Sequence, residues 1–304
     1  MGFLNKIVKR VYRELVNRGA YDHLSDEAFL KKQFYIRMGK ELDLNAPRTF
    51  NEKLQWLKLY NRRPEYTTMV DKYEAKKYVA ECIGEEHIIP TLGVWHTFEE
   101  IDFSALPDQF VLKCTHDSGG LVICRDKSKF DAKAAKKKIG KSLRRNFYLK
   151  SREWPYKNVK PRIIAEQFME DRETRELRDY KFFCFDGEPK VMFIATDRQT
   201  AGQEVKFDFF DMDYKHLDVR NGHANATNLP KKPAMFEEMK ALSKKLSKGI
   251  PHVRVDFYEI EGKVFFGELT FFHFSGMVPF EPEQWDYTFG DWIKLPSEST
   301  KDLE

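Results

Sequence analysis

His252-Val253-Arg254-Val255-Asp256-Phe257, with Gly267-Glu268-Leu269-Thr270 a short way downstream, is the stretch that decides the fold. Apolar residues alternate here with charged ones, and a period of two marks strands rather than a helix. Between the two runs stands Glu261-Gly262, a turn pair, so His252 to Glu259 and Lys263 to Thr270 are expected to form a hairpin. Alternation then puts Arg254 and Asp256 on one face of the first strand, and Glu268 and Thr270 on one face of its partner. Two carboxylates and a hydroxyl on one sheet face make a hard-oxygen site suited to Mg²⁺ and to phosphate oxygens. An ion pair of Arg254 with Asp256 or Glu268 on an exposed face is the plainer alternative. The strongly apolar flanks count against it, because charges set among Val, Phe and Leu need partners.

Working outward, short apolar runs at Phe110 to Lys113, Leu121 to Cys124 and Arg162 to Glu166 read as further strands. Tyr180 to Phe185 and Lys190 to Ala195 flank Asp186-Gly187, a second hairpin signal. Helical patterns occupy the N-terminal section, where Thr49 with Glu52 three residues later forms a capping box, and recur at Asp71 to Ile83 before Gly84 and at Pro233 to Lys248. The expected class is α+β with mainly antiparallel sheets. After the deciding hairpin, Ser275-Gly276 permits close approach of a substrate, and His273 among aromatics is expected to be a structural histidine.

A chain of 304 residues, 41% apolar and with 26 Phe, can bury a sizeable core, and 33% charged residues argue against a membrane-embedded protein. The absence of a long apolar run or signal-peptide pattern sets cytoplasm as the expected location. Cys82, Cys114, Cys124 and Cys184 lack CxxC spacing and are expected as reduced thiols. Net charge is +4, yet Arg125 to Lys150 holds eleven Lys or Arg against two Asp, either a solvated helix face or a footprint for an anionic polymer. Leu4, Ile7, Val8, Val11, Tyr12, Leu15 and Val16 recur at helical spacing with basic residues mostly opposite. That helix is expected to cover the protein's own core. The other possibility is that it lies on an anionic membrane surface, where apolar burial and Lys/Arg attraction add together.

Lys113-Cys114-Thr115-His116-Asp117-Ser118-Gly119-Gly120 joins two strands through small residues, whose backbone N–H groups can approach phosphate oxygens. It is not a P-loop, since GxxxxGK[ST] is absent, and a Ser-Gly-Gly hairpin turn needs no ligand. In Ile164-Ala165-Glu166-Gln167-Phe168-Met169, strand-edge backbone and apolar walls can bracket an adenine, or the segment is an ordinary strand end.

The order of Lys113 with its Gly loop, Glu166 to Met169, Asp179-Tyr180-Lys181, and Arg254-x-Asp256 before Glu268-x-Thr270 resembles the ATP-grasp superfamily over residues 70–296. Pro47 to Leu54, Asp71-Lys72, Trp285 and Gly290 narrow the resemblance to the TupA-like (teichuronopeptide biosynthesis) proteins of bacterial surface-polysaccharide clusters. It implies a helical segment over 1–65, an ATP-grasp domain in two parts over 66–170 and 171–296, and a disordered tail at 297–304. It implies ATP and Mg²⁺ held between two α+β subdomains. Lys113 would contact phosphates, Ser118, Gly119 and Gly120 would close over them, and Glu166, Gln167, Phe168 and Met169 would bracket the adenine. Lys181 and Arg254 would be catalytic, and Asp256 and Glu268 would hold the metal with Thr270, which stands where the superfamily usually has Asn. Lys72 and Lys76 both remain open as the family's first lysine. The implied reaction is amide formation through an acyl phosphate, between an amino acid or amine and a hexuronic acid of an anionic glycan, and the resemblance extends the possible contacts of the N-terminal basic helix to the inner membrane or polysaccharide assembly proteins. A glycosyltransferase using Asp211-Met212-Asp213 as a DxD motif is the competing reading, and no nucleic-acid module is recognisable.

Overall fold

Strand alternation and turn chemistry together sort the described residues into two main antiparallel sheets and a two-stranded ribbon. The computed structural model describes residues 3–171, 177–196 and 204–296. Five helices come first: α1 (Phe3–Asn17), α2 (Asp26–Met38), α3 (Phe50–Tyr60), α4 (Glu65–Val70) and α5 (Glu74–Ile83). A small sheet follows from β1 (Thr91–Trp95), β2 (Phe110–Cys114), β3 (Leu121–Cys124) and β4 (Ile163–Gln167), in the order β1-β4-β2-β3. Helices α6 (Ala132–Leu143) and α7 (Phe147–Ser151) lie between β3 and β4. The large sheet uses β5 (Asp179–Phe185), β6 (Glu188–Thr196), β7 (Lys206–Asp211) and β8 (His216–Leu217). After β9 (Arg220–Asn221) and α8 (Phe236–Leu246) it gains β10 (His252–Ile260) and β11 (Lys263–Thr270), giving the order β11-β10-β5-β6-β7-β8. The last elements are β12 (Phe280–Glu281), which pairs with β9, and α9 (Gln284–Trp292).

Both expected hairpins form. Asp186-Gly187 and Glu261-Gly262 each hold two successive positive φ angles, 50° and 80° in the first and 50° and 73° in the second. That is the twist-matched turn of a two-residue hairpin. Thr49 and Glu52 make both halves of the capping box at α3, and Gly84 ends α5. The tail 297–304 lies outside the described residues.

One large core joins the helices that precede the small sheet to the large sheet, with Phe29, Phe34, Phe50, Leu54, Phe182, Phe183, Phe193, Val253 and Phe289 among its buried members. A smaller core under the small sheet packs Phe110, Leu112, Ile163 and Ala165 against Ala135 and Ile139 of α6. Two separately cored sheets facing one another leave a cleft between them.

Helix α1 departs from expectation. Its apolar residues Ile7, Val8, Val11 and Leu15 are 42%, 48%, 52% and 37% exposed, while Tyr12 is buried. The other side carries Lys9, Tyr12, Arg13 and Val16, which line a cavity, and of these Val16 also packs against the large core. Among the described residues, no helix is long and apolar enough to cross a membrane.

Candidate active site

Strand register assembles the site. Asp256 of β10 stands opposite Glu268 of β11 on one side and Lys181 of β5 on the other, and Lys181 is opposite Phe193 of β6. Arg254, two residues before Asp256, pairs with Thr270. A bulge between Asp256 and Phe257 brings Gly267 close to the β10 backbone, where an added Cβ would lie 3.0 Å from the Asp256 carbonyl oxygen.

Asp256 is fully buried and accepts two hydrogen bonds from Arg254, Nε to Oδ1 and Nη2 to Oδ2, both at 2.7 Å. Lys181 Nζ donates to the same carboxylate, and to Asp179 Oδ1 at 3.2 Å. Burial pushes the Asp256 carboxyl up, but Arg254 and Lys181 more than offset this and hold it below the ordinary carboxylate range. Lys181 is pushed down by burial first, with Arg254 adding to it against the pull of Asp256. Arg254 Nη2 also reaches Glu268 Oε1 at 3.1 Å and Thr270 Oγ1 at 3.0 Å. Its Nη1 donates to His273 Nδ1 at 2.7 Å. A guanidinium cannot accept, so His273 carries its proton on Nε2 and donates it to Asn221 Oδ1 at 2.9 Å. His273 is thus a structural support for Arg254.

Across the cleft, Glu166 of β4 is buried and shared by two lysines, Lys76 Nζ at 2.5 Å from Oε1 and Lys113 Nζ at 2.5 Å from Oε2. Burial raises the Glu166 carboxyl, and Lys113 then Lys76 outweigh it. The loop after β2 is anchored from beneath. Asp117 accepts from Ser142 and from the Gly120 N–H, and Lys72 Nζ donates to the Asp117 carbonyl at 2.5 Å. Gly120 has no room for a side chain, since a Cβ would come 2.6 Å from both Cys114 Sγ and Ser142 Oγ. Ser118 and Gly119 stay exposed above this base.

Two cavities meet here. A cleft of about 190 Å³ between the sheets is lined by Lys72, Lys76, Lys113, Glu166 and the Ser118 to Gly120 loop. A larger cavity of about 940 Å³ runs toward α1 past Phe193, Arg254, Thr270 and Ser275. Ser118, Tyr156, Lys181 and Glu268 line both.

A family model described as TupA-like ATPgrasp matches residues 52–294. The chain belongs to the TupA-like ATP-grasp family. No curated protein sequence matches it. Among solved structures, this family member is similar to an L-amino acid ligase from Bacillus licheniformis, at 14% identity and a TM-score of 0.48, covering 90% of this chain and 64% of that one. The D-alanine–D-alanine ligase from Bacillus anthracis complexed with ATP gives 14% identity, a TM-score of 0.38 and coverage of 67% and 53%. The D-alanine–D-alanine ligase from Helicobacter pylori gives 15%, 0.38, and 82% and 70%. The chain thus spans little more than half the length of the Bacillus anthracis enzyme.

For this TupA-like ATP-grasp protein the structure brings Lys113, Ser118, Gly119, Gly120, Glu166, Lys181, Arg254, Glu268 and Thr270 to the cavity walls. Lys72 and Lys76 both line the cleft, and Lys76 is the one that shares Glu166 with Lys113. The adenine-side residues of β4 and its end are divided in their placement. Among the described residues, the cleft lining takes Glu166 but not Gln167, Phe168 or Met169, and Phe168 lies 4.9 Å under the Arg125 guanidinium. The expected metal set also differs in its state. Asp256 is committed to Arg254 and Lys181, as a fully buried carboxylate must be paired, so Glu268 is the carboxylate that faces the cavities. Among the described residues no group of three or more His, Cys, Asp or Glu is placed to hold a metal. Mg²⁺ fits such a site in its usual manner, on one or two carboxylates together with phosphates and waters.

The basic stretch proves mostly remote. Helix α6 seats Ala135 and Ile139 in the small core and turns Lys133, Lys136, Lys137 and Lys141 outward. Asp211 of the DxD tripeptide ends β7 and holds the turn that follows, accepting N–H bonds from Asp213 at 3.0 Å and Lys215 at 2.8 Å. Tyr156 and Glu153 also reach the site, from a segment with neither a periodic pattern nor a glycine to mark it, and Asp117 does so from within the glycine loop itself.

Proposed function

We propose that this protein is an ATP- and Mg²⁺-dependent carboxylate–amine ligase, forming an amide between an amino acid or amine and a hexuronic acid of a cell-surface or capsular polysaccharide. The observation that carries the reading is the junction of two cavities at Ser118, Tyr156, Lys181 and Glu268, with a lysine-rich cleft on one side and a roomy cavity on the other. Such a junction suits a transfer between a nucleotide and a second substrate.

Within it, Lys76 and Lys113 offer ammonium groups to phosphate oxygens, already aligned by Glu166. The loop at Ser118 and Gly119 can cover them and exclude the water that would hydrolyse an activated carboxylate. Glu268 would hold Mg²⁺, which supplies charge neutralisation at phosphate oxygens, while Asp256 behind it fixes Arg254 and Lys181. Arg254 is fixed by five acceptors on four residues, so its charge is preorganised where negative charge develops on the carboxylate being activated. The glycan side rests on Lys9, Arg10, Arg13, Arg37 and Lys150 in the large cavity, cations that suit an anionic substrate.

The test measures ADP and phosphate release from ATP with amino acids and hexuronate oligosaccharides. Acceptor-dependent ADP formation is expected, falling by about 100-fold or more in Glu268→Gln and Lys113→Ala, the scale of losing one charge-stabilising group. Turnover of a sugar nucleotide with no binding or turnover of ATP would sink the ligase reading and favour a glycosyltransferase.

A further inference from the structure

The large cavity, about 940 Å³, lies near the top of the ~300–1,000 Å³ range of small-molecule sites. Its far end is built by α1 and α2, which precede the family-matched residues 52–294. Lys9, Arg10 and Arg13 of α1, Arg37 of α2 and Lys150 of α7 line it, together with Tyr12 and Gln33. Helical spacing keeps Lys9, Tyr12 and Arg13 on one side of α1, and Lys9 Nζ is tied to the Arg37 carbonyl at 2.8 Å.

Two features of this end call for a ligand. The first is an excess of positive charge, five cations at this end against two carboxylates in the whole described lining. Arg37 is pushed down by burial and then by Arg13, and Lys150 by burial and then by Arg145. Of these two carboxylates, Glu153 is buried beside Lys58 and Ser151, the latter at 3.0 Å, and Glu268 lies at the other end of the cavity against Arg254 at 3.1 Å. The second is unmet hydrogen bonding. Among the described residues, the Tyr12 hydroxyl and Gln33 Oε1 are buried without a hydrogen-bond partner, in residues only 5% and 6% exposed. Buried polar groups are otherwise nearly always paired.

We propose that α1 and α2 form a distal anion subsite, and that the acceptor is an oligomeric chain with an anionic group on successive units. One unit lies at Lys181 and Glu268 while a neighbouring unit is held by Arg10, Arg13 and Arg37. Which unit reacts rests on the ligase reading above; the subsite is a statement about binding and stands apart from it.

Binding of fluorescently labelled trigalacturonate, and of a glycerol-phosphate trimer, is measured without ATP for the whole protein, Arg10→Ala/Arg13→Ala and Lys137→Ala/Lys141→Ala. The second pair removes equal charge from the outer face of α6. At least one trimer is expected to bind the parent protein and the α6 pair alike, and the α1 pair about tenfold more weakly, the scale of two surface ion contacts. The trimer that binds identifies carboxylate or phosphate chemistry. Equal binding by all three proteins, equal loss in both pairs, or no binding of either trimer overturns the proposal. ADP release is then followed with monomeric galacturonate and the trimer. Loss of trimer binding in the α1 pair with no ADP release from any protein keeps the subsite and removes the ligase reading.

Discussion

Arg254 illustrates why single side chains matter so much here. It neutralises a carboxylate that is 0% exposed, and it fixes the tautomer of His273 beneath it. Arg254→Met would strand Asp256 with Lys181 alone, and a loss of about 3–5 kcal/mol is expected by urea titration, as for one partner removed from a buried pair. His252 makes a different kind of prediction. Its Nδ1–H donates to the Cys184 carbonyl at 2.9 Å, and burial pushes its pKa down to about 3 from 6.5. The unfolded chain therefore takes up a proton before the folded one does. Stability from this group is complete above pH 6.5 and is lost as pH falls from 6.5 toward 3, at about 1.4 kcal/mol per pH unit. Urea midpoints between pH 7 and 4 would show this slope, and His252→Asn, which keeps a donor but cannot titrate, should flatten it. Residue chemistry of this sort was partly legible. The alternation of Arg254 and Asp256 with apolar neighbours announced buried charge, whereas the proton position on His273 depends on Arg254 and Asn221, 19 and 52 residues away.

Elements come next, and their ends were the most readable part. Thr49 caps α3 because its side chain accepts from the Glu52 N–H at 3.2 Å, a purely local interaction. How α3 meets α9 is not local. Gly290 lets α9 lie against the turn before α3, where a Cβ would sit 2.2 Å from the Arg48 carbonyl oxygen and 2.8 Å from the Phe50 nitrogen. Backbone atoms cannot step aside as a flexible side chain can. Gly290→Ala is expected to cost about 3 kcal/mol, against about 1 kcal/mol for Thr49→Ala, and thermal unfolding of the two variants side by side checks the ranking. Helix α1 shows the limit of periodicity. Its amphipathic pattern was plain in the sequence, but a pattern does not say which side meets the protein, and the apolar stripe lies outward.

At the scale of the whole molecule, two sheets with separate cores face one another, and the groups expected to meet ATP and Mg²⁺ are divided between them. A ligand touching both sheets links them, so ATP with Mg²⁺ at 100 times its Kd should stabilise the protein by about 2.7 kcal/mol. Differential scanning calorimetry with and without a chelator checks this, and an unchanged Tm would argue against a shared nucleotide site. The sequence by itself determined the strands, the two hairpin turns, the helix caps and the row of Arg254, Asp256, Glu268 and Thr270, because each follows from residues a few positions apart. Tertiary structure alone decided that Lys76 and Lys113 share Glu166, that Asp256 is taken up by Arg254 and Lys181, and that the cations of α1 rather than those of α6 face the large cavity. The physical reason is that ion pairing inside a protein is set by which elements the cores press together, and that packing depends on side chains far apart in the chain.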